Sequence, residues 1–344
     1  MVKIGIIGCG KIAQLRHIPE FADNPRAVLQ GFYDANQDRC REIADRFGGV
    51  AYESVEAMLA DKRIDAVSVI TPNFTHAEIS IVALKQGKHV LCEKPMAVTL
   101  ADCEAMAAAA DEAGKKLMIA HNQRFNPSHV LAKNLLAQGI IGEVISFRTS
   151  FAHSGADNWS VDGANSWFMD KSKSHFGAFA DLGVHKTDLV VYLLDQPIVR
   201  VSACIGTLNK RDKDGNFISV DDNAYCTYVM KNGIMGTINA SWTNHGQEDN
   251  STSIYGTTGS MHIYRDPAHP IVIERAGQPD EYYGDDAMQT NENQTKSGVM
   301  DAFVRCIAED TEPAVPAASA LLAMRAIFAG EESARNNSVF IEVL

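Results

Sequence analysis

The sequence predicts an α/β N-terminal domain on a parallel sheet, then an α+β C-terminal domain with a large open, mostly antiparallel sheet. From residue 3 to about residue 120, short β-branched runs alternate with amphipathic segments, which is typical of βαβ units. From Glu143 onward, longer strand-like runs separated by turn signals replace that alternation. A chain of 344 residues exceeds one hydrophobic core, so we expect domains at 1–122 and 123–344, with the last helices able to pack back on the first.

Hydrophobic periodicity places the individual elements. In the first domain, strands are predicted at 3–7, 28–33, near 50, 66–70, 89–92 and 117–120, and helices at 38–47, 76–86 and 100–113. Gly48, Gly87 and Gly114 stand where left-handed C-terminal caps are expected. In the second domain, strands are predicted at 144–152, 199–208, 224–230, 234–242 and 253–264, and helices at about 126–138, 178–194, 295–309 and 317–334.

Composition and charge limit the possible partners. A net charge of -12 and a pI near 5.4 leave no basic footprint for nucleic acid or an anionic membrane. The seven cysteines are scattered and contain no Cys-x-x-Cys pair, which indicates neither a disulfide framework nor a metal site. The first residues enter a strand without the features of a signal peptide, and no apolar run approaches the ~18 residues that span a bilayer. We expect a cytoplasmic protein with a small-molecule partner.

A glycine-rich segment connects the first strand to a helix. Its sequence, Gly-Cys-Gly-Lys-Ile-Ala at residues 8–13, has the Gly-x-Gly-x-x-Gly/Ala form in the required context. Glycine allows the backbone to turn tightly and approach a pyrophosphate, whose charge is stabilised by a helix N-terminus. Close strand-to-helix packing is the alternative reason for the glycines. The candidate residues of this Rossmann dinucleotide site are Gly8, Gly10, Lys11, Ile12 and Ala13.

Asp34 ends the second predicted strand. Its carboxylate can accept hydrogen bonds from both hydroxyls of an adenosine ribose and would repel a 2'-phosphate. Ala35 and Asn36 follow, with no arginine beside Asp34, so NAD(H) is favoured over NADP(H). The alternative is that Asp34 caps the following helix.

More specific motifs follow at 71–76 (Thr-Pro-Asn-Phe-Thr-His) and 87–95 (Gly-Lys-His-Val-Leu-Cys-Glu-Lys-Pro). With the segments 123–127, 139–144 and 181–188, they resemble the glucose-fructose oxidoreductase/inositol dehydrogenase (Gfo/Idh/MocA) family over most of the chain. The resemblance implies a Rossmann domain and a second domain whose exposed sheet face pairs subunits, as a homodimer or homotetramer. One departure is His175-Phe176-Gly177, where the family usually has a glycine triplet, so the identity of the substrate is not carried over.

The resemblance also assigns cofactor residues. It implies that Thr71, Pro72, Asn73 and His76 line the nicotinamide half of the cofactor cleft, with Glu93 near its ribose. His76 could instead be an ordinary first-turn residue of the following helix. A cis bond between Lys94 and Pro95 is a further possibility, because such bonds occur in tight turns after strands.

Oxidation of a secondary alcohol needs a base and a group that supports the developing alkoxide. His185 is the candidate base, and it follows Asp181 by four residues on a predicted helix, which places both side chains on one face. Asp181 could orient His185 or bind substrate. Lys94, at the carboxyl end of a parallel strand, can donate to the reacting oxygen and share the proton transfer. Asp188 is interpreted as a supporting or helix-surface carboxylate.

Polar and aromatic residues between His153 and His175 suit a polyhydroxylated ring. In this loop the substrate candidates are Asn158 and Trp167, and Trp159, Asp162, Asn165 and Lys171 lie there too. Outside the loop the candidates are Asn122, Arg124, Asp181 and His185. Solvated loop residues are the alternative for most of them.

These residues favour an NAD(H)-dependent oxidoreductase of a sugar, inositol or polyol. Two alternatives remain: a glycosidase that retains NAD and oxidises its substrate only transiently, and a non-catalytic NAD(H) sensor. The sensor has no need of Lys94, Asp181 and His185 together.

Overall fold

The computed structural model describes residues 1–158, 166–288 and 296–343. The chain forms two compact units, Met1–Asn122 with Asn291–Leu321, and Gln123–Thr290 with Leu322–Leu344. Among the described residues, no helix is long and apolar enough to cross a membrane.

The first unit is built on a parallel sheet. Its strands, six among the described residues, have the order β3-β2-β1-β4-β5-β6. They are β1 (Val2–Ile7), β2 (Ala27–Tyr33), β3 (Val50–Ala51), β4 (Ala66–Val69), β5 (His89–Cys92) and β6 (Leu117–Ile119). Every residue of β4 is buried, as expected for a central strand that is covered on both faces. The predicted parallel sheet is confirmed.

Side-chain caps define where the helices of this unit begin. Asn36, Ser54 and Thr99 accept hydrogen bonds from the first turns of α2, α3 and α5. The helices are α1 (Ile18–Asp23), α2 (Gln37–Phe47), α3 (Val55–Ala60), α4 (His76–Lys85) and α5 (Leu100–Ala113). A π-helical turn, Ala13–His17, precedes α1, and a short 3-10 turn, Asn73–Thr75, precedes α4.

The predicted glycine caps are partly correct. Gly114 is left-handed, with φ 59° and ψ 35°, and Gly87 has φ 79°. Gly48 also has positive φ, at 74°, but its ψ of 152° lies outside the left-handed helical region. The backbone there already turns extended toward β3, so the prediction of a left-handed cap at Gly48 was wrong.

The second unit contains the larger sheet. Its described strands, nine in number, have the order β14-β13-β12-β11-β7-β10-β9-β8-β15. Only β7 and β10 pair in parallel among these described strands, so the predicted mostly antiparallel sheet is confirmed. The strands are β7 (Val144–Ala152), β8 (Ile198–Gly206), β9 (Asn223–Met230), β10 (Met235–Ser241), β11 (Thr252–Gly256), β12 (Ser260–Asp266), β13 (His269–Glu274), β14 (Glu281–Tyr283) and β15 (Ile341–Glu342).

The remaining helical segments are α-helices, together with short 3-10 turns and one π-helical turn. The helices are α6 (Pro127–Ala137), α7 (Lys171–Ser174), α8 (Val184–Leu194), α9 (Val299–Ala308) and α10 (Ala317–Arg335). Short 3-10 turns lie at Asn122–Phe125, Ala156–Asn158 and Trp167–Met169, and a π-helical turn, Phe179–Gly183, precedes α8. The predicted helix at 178–194 is therefore not a uniform α-helix.

Two element predictions were wrong and strand β13 was missed, each for an identifiable reason. The single strand predicted at 253–264 is the hairpin β11–β12, closed by a hydrogen bond of 2.9 Å from Gly256 N to Gly259 O. Strand β13 was missed because Pro270 interrupts its pattern. Helix α9 begins at Val299 rather than near 295, because the Glu20 carboxylate accepts hydrogen bonds from Ser297 N (2.7 Å) and from the first turn of the helix.

Candidate active site

The glycine-rich loop contains two glycines that are needed for different reasons. Gly8 has φ +95°, and a Cβ there would lie 2.5 Å from the Ile70 carbonyl oxygen, so the fold itself requires glycine. A Cβ on Gly10 would meet nothing within 4 Å. The open space at Gly10, at the start of the helical segment from Lys11, fits a pyrophosphate against the backbone. The loop thus fits the dinucleotide predicted from its sequence. Lys11 is exposed, Ile12 is half-buried and Ala13 is buried.

Asp34 joins this loop to α2. Its Oδ2 accepts a hydrogen bond from Cys9 N at 2.7 Å, and its Oδ1 accepts from Asn36 N at 2.8 Å. The Asn36 side chain caps α2, so the alternative role of Asp34 as the helix cap is wrong. Arg39 Nη2 donates to Asp34 Oδ1 at 2.8 Å. The expectation of no arginine beside Asp34 was therefore wrong, because one helical turn brings Arg39 back to the end of β2.

The segment after β4 is fixed by His76. This residue begins α4 and is 1% exposed, with Nδ1 2.9 Å from the Pro95 carbonyl oxygen and Nε2 2.8 Å from that of Thr71. Burial lowers the pKa of His76, which favours the neutral ring, although both carbonyls act to raise that pKa. His76 thus connects the Thr71-Pro72-Asn73 segment to the turn at Pro95. Its place beside the nicotinamide part of the cofactor stays a prediction.

The turn after β5 contains Lys94, and the predicted cis bond between Lys94 and Pro95 is confirmed. Glu93 is 9% exposed; its Oε2 accepts a hydrogen bond from Lys94 N at 3.0 Å, and its Oε1 lies 2.9 Å from His17 Nε2. Burial alone would raise the pKa of Glu93, but His17, Lys94 and Arg16 lower it to about 2. An ionised Glu93 therefore fixes the backbone beside Lys94.

His17 was missed by sequence reasoning. Its Nδ1 lies 2.9 Å from the hydroxyl of Ser68 on β4, so its ring bridges β4 and the turn after β5. The available signal was its spacing, four residues after Ala13, which places it on the buried face of a helix that follows a glycine-rich loop.

Asp181 and His185 lie in the second unit, on the π-helical turn and on α8. Asp181 is 7% exposed and its Oδ2 accepts a hydrogen bond from Trp242 Nε1 at 3.2 Å. His185 is 8% exposed, and its ring centroid lies 5.7 Å from that of Phe151. The π-helical turn changes the residue spacing that a regular α-helix would give. The shared helical face remains a prediction.

Asp221, which sequence reasoning missed, holds the start of this segment. Its carboxylate accepts hydrogen bonds from Gly177 N at 2.9 Å and Phe179 N at 2.7 Å. A Cβ on Gly177 would lie 1.8 Å from the Asp221 carbonyl oxygen, so Gly177 is required. Burial raises the pKa of Asp221 to about 6. His175, where the family usually has glycine, has φ +63°.

Arg124 forms a bidentate ion pair with Asp188. Its Nε and Nη2 donate to the two Asp188 carboxylate oxygens at 2.7 and 2.6 Å. The side chains are 8% and 1% exposed. Asp188 is therefore not a helix-surface carboxylate, because it neutralises a buried guanidinium. A contact between Arg124 and substrate remains a prediction.

Part of the predicted substrate loop can be located. Trp167 stacks on Phe168 with ring centroids 4.0 Å apart. Asn122, a substrate candidate outside this loop and in the first unit, is half-buried. Trp159, Asp162 and Asn165 lie outside the described residues, as does the side chain of Asn158.

Comparisons with known proteins show the family to which the chain belongs. Residues 2–121 match the model of the oxidoreductase family with an NAD-binding Rossmann fold, and residues 129–262 match that of the GFO/IDH/MocA C-terminal domain. The chain is 32% identical to glucose-6-phosphate 3-dehydrogenase of Bacillus subtilis over 69% of its own length and 67% of that protein. It is 29% identical to 2,7-anhydro-N-acetylneuraminate hydratase of Escherichia coli, over 82% and 75% of the two chains.

A solved structure of a related enzyme has the same fold. A levoglucosan dehydrogenase in complex with NADH superposes with a TM-score of 0.89 at 26% identity, covering 100% of this chain and 99% of the other.

Proposed function

Because the chain belongs to the GFO/IDH/MocA family of NAD-binding oxidoreductases, we propose that it transfers a hydride between NAD(H) and a secondary alcohol or ketone of a sugar, inositol or related polyol. Relatives that are named for dehydrogenation of a sugar phosphate and of levoglucosan support this substrate class. The observation that carries the proposal is the Glu93-Lys94-Pro95 turn at the carboxyl end of β5, because open parallel sheets place their ligands at that edge.

The reacting residues follow from the chemistry. The residues that would hold NAD are given below, and when bound the cofactor would supply the acceptor for a hydride from the carbinol carbon. Lys94 would donate a hydrogen bond to the substrate oxygen and stabilise the developing alkoxide. The substrate's hydroxyl proton would pass to Lys94 or to His185, the candidate base. Asp181, whose Oδ2 is already oriented by Trp242, would orient His185 or bind a neighbouring hydroxyl.

The remaining candidate residues would hold the ligands. The glycine-rich loop with Asp34 would bind the adenosine and pyrophosphate part of NAD, and Thr71, Pro72, Asn73 and His76 would line the nicotinamide part. Asn122, Arg124, Asn158 and Trp167 would meet the substrate. Stacking of a sugar ring on Trp167 and hydrogen bonds from the polar side chains are the interactions that suit a polyhydroxylated ligand.

The test is a cofactor-reduction assay. The purified chain is incubated with NAD or NADP and a panel of inositols, aldoses and glycosides, and reduced nicotinamide is followed by absorbance. We expect NADH to form with a sugar or polyol, and Lys94→Ala and His185→Ala to lose at least about 100-fold in kcat while still binding NADH. Lys85→Ala, at an exposed lysine on α4, is the control. Unchanged kcat in Lys94→Ala would refute the assignment.

A second candidate is a reaction without net oxidation. The relationship to a protein that is named as a hydratase favours keeping it, because the family is not limited to dehydrogenases. A glycosidase that oxidises its substrate transiently would consume glycoside with no accumulation of NADH. A non-catalytic sensor would bind NADH and convert nothing in the panel.

Subunit pairing through the larger sheet is part of the proposal. On one face, Tyr225, Met235 and Tyr255 are 56%, 57% and 37% exposed and lie on strands that pair through β7 and β10. A homodimer or homotetramer would bury them, and Met235→Glu should then lower the mass measured by light scattering. We also propose the cytoplasm as its location, since all seven cysteines are free thiols.

A further inference from the structure

We propose that Lys210 is a positioning residue of the substrate site: its ion pair with Asp157 holds the first part of the substrate loop and thereby determines which sugars or polyols bind. The substrate loop is residues 153–175, of which the structure describes 153–158 and 166–175. The effect on substrate rests on the proposed function, whereas the ion pair lies within the second unit whatever the substrate is.

Lys210 lies on the β8–β9 connection, residues 207–222, whose first part is fixed by a buried carboxylate. Asp222 is 0% exposed, and its two oxygens accept hydrogen bonds from the backbone N–H groups of Leu208, Asn209 and Lys210 at 2.7, 2.8 and 2.7 Å. A buried carboxylate is stable only when it is hydrogen-bonded in this way. The Lys210 side chain therefore extends from a backbone that is already held in place.

The ammonium group of Lys210 contacts the start of the substrate loop. Its Nζ donates to both Asp157 carboxylate oxygens at 2.7 Å and also to the Ser154 carbonyl oxygen. The Lys210 and Asp157 side chains are 10% and 27% exposed, so water screens this pair less than it screens a surface ion pair. A Cβ on Gly155 would lie 2.9 Å from Lys210 Nζ. A side chain at Gly155 would thus displace the ion pair.

The same connection also holds the last part of the substrate loop. Ser219 Oγ accepts a hydrogen bond from Lys171 N at 2.9 Å and donates to the Met169 carbonyl oxygen at 3.3 Å. The substrate candidates Asn158 and Trp167 lie between Asp157 and Met169 in the sequence. The β8–β9 connection therefore contacts the loop on both sides of these candidates.

A loop that is held in place before binding favours one arrangement of ring hydroxyls. Ordering of a loop on binding costs affinity, and a few placed polar groups fix the orientation of a ligand. Loss of the Lys210–Asp157 pair should therefore weaken substrate binding and change the preference among substrates. NADH binding should change much less, because the glycine-rich loop belongs to the first unit.

The experiment compares the full-length parent with Lys210→Met, Asp157→Ala and the double variant. Lys213→Met is the matched control, because it makes the same substitution at an exposed position of the same connection. Three quantities are measured: KM and kcat for the two best substrates of the panel, the Kd of NADH, and hydrogen exchange without ligand in the peptide that contains Gly155. The Gly155 N–H donates to His153 Nδ1 at 2.9 Å, so its exchange reports on the order of this part of the loop.

We expect Lys210→Met to raise KM about tenfold or more and to change the ratio of kcat/KM between the two substrates at least about fivefold. The values of kcat and of the NADH Kd should stay within about threefold of the parent. Asp157→Ala should have the same effect, and the double variant should add little, because each substitution removes the same ion pair. Exchange in the Gly155 peptide should be faster in all three variants and unchanged in Lys213→Met.

The proposal is overturned if KM and the substrate ratio of Lys210→Met match those of Lys213→Met, or if the double variant shows the sum of the single effects. If Lys210→Met does not fold, Asp157→Ala decides by the same criteria, since it removes the pair from the side of the loop. If the parent oxidises nothing in the panel, the proposed function fails and hydrogen exchange decides separately. Faster exchange in Lys210→Met than in Lys213→Met then supports the positioning role, and equal exchange overturns it.

Discussion

Replacement of Asp188 by asparagine should destabilise the protein strongly, because it removes the carboxylate charge that pairs with the buried Arg124 guanidinium. Asp188 is 1% exposed, and its two oxygens accept hydrogen bonds of 2.6 and 2.7 Å from Arg124, which is itself 8% exposed. The neutral amide can accept only one of these two bonds.

The magnitude follows from this burial. Removal of one partner of a buried pair costs about 3 to 5 kcal/mol, which lowers the Tm of a domain of this size by roughly 6 to 20 °C. The double variant Arg124→Leu/Asp188→Leu removes both charges and should recover much of that loss, since apolar replacement of a whole buried pair is often nearly neutral. Asp38→Asn, at the exposed pair with Arg41, should leave Tm unchanged.

Thermal unfolding followed by circular dichroism measures the stability, and the cofactor-reduction assay measures kinetics on the same samples. A Tm loss below about 2 °C in Asp188→Asn would refute the argument from burial. The double variant tests the predicted substrate contact separately. If Arg124 binds substrate, a folded double variant raises KM at least about tenfold; if Arg124 only supports the fold, KM stays at the parent value.

Three further predictions concern the glycine-rich loop, the half-buried acid Glu331 and the turn that contains Glu93. Gly8→Ala should lower Tm by several degrees, because its Cβ would clash with Ile70 O, whereas Gly10→Ala should keep Tm and weaken NADH binding at least about tenfold in a fluorescence titration. Burial raises the pKa of Glu331 to about 7 from its usual 4.5. The stability of its neutral form is complete below pH 4.5 and is lost as pH rises through 7, so Glu331→Gln should match the parent Tm at pH 4 and exceed it by a few degrees at pH 8. The pKa of Glu93 is lowered to about 2, so Glu93→Gln should lower Tm at pH 7 by several degrees, with a deficit that shrinks only below pH 4.5.

Most of the fold could be predicted from the sequence because the signals that begin and end its helices and strands lie within a few residues of each element. β5 and α5 have the predicted bounds, since short apolar runs and a Thr99 cap with a glycine stop define them within a few residues. One error occurs where a distant contact overrides the pattern, because Glu20 sets the start of α9 from 277 residues away. The other errors are local, such as the proline within β13.

The candidate site shows the same contrast between local sequence signals and contacts from distant parts of the chain. Motifs selected Lys94, Asp181 and Arg124 as candidates, but side chains that contact these residues or their neighbours come from far along the chain. His17 bonds Glu93 across 76 positions, Trp242 bonds Asp181 across 61, and Asp188 bonds Arg124 across 64.

Such partners leave little trace in a single sequence, since a buried histidine or tryptophan resembles any other core residue until the fold brings it to a carboxylate. Arg39 is the instructive exception. It lies only five positions from Asp34, and a search limited to adjacent residues missed it, although one turn of α2 is enough to return its guanidinium to the end of β2. Cofactor preference should therefore be inferred from the first helical turn after the acidic residue as well as from its immediate neighbours.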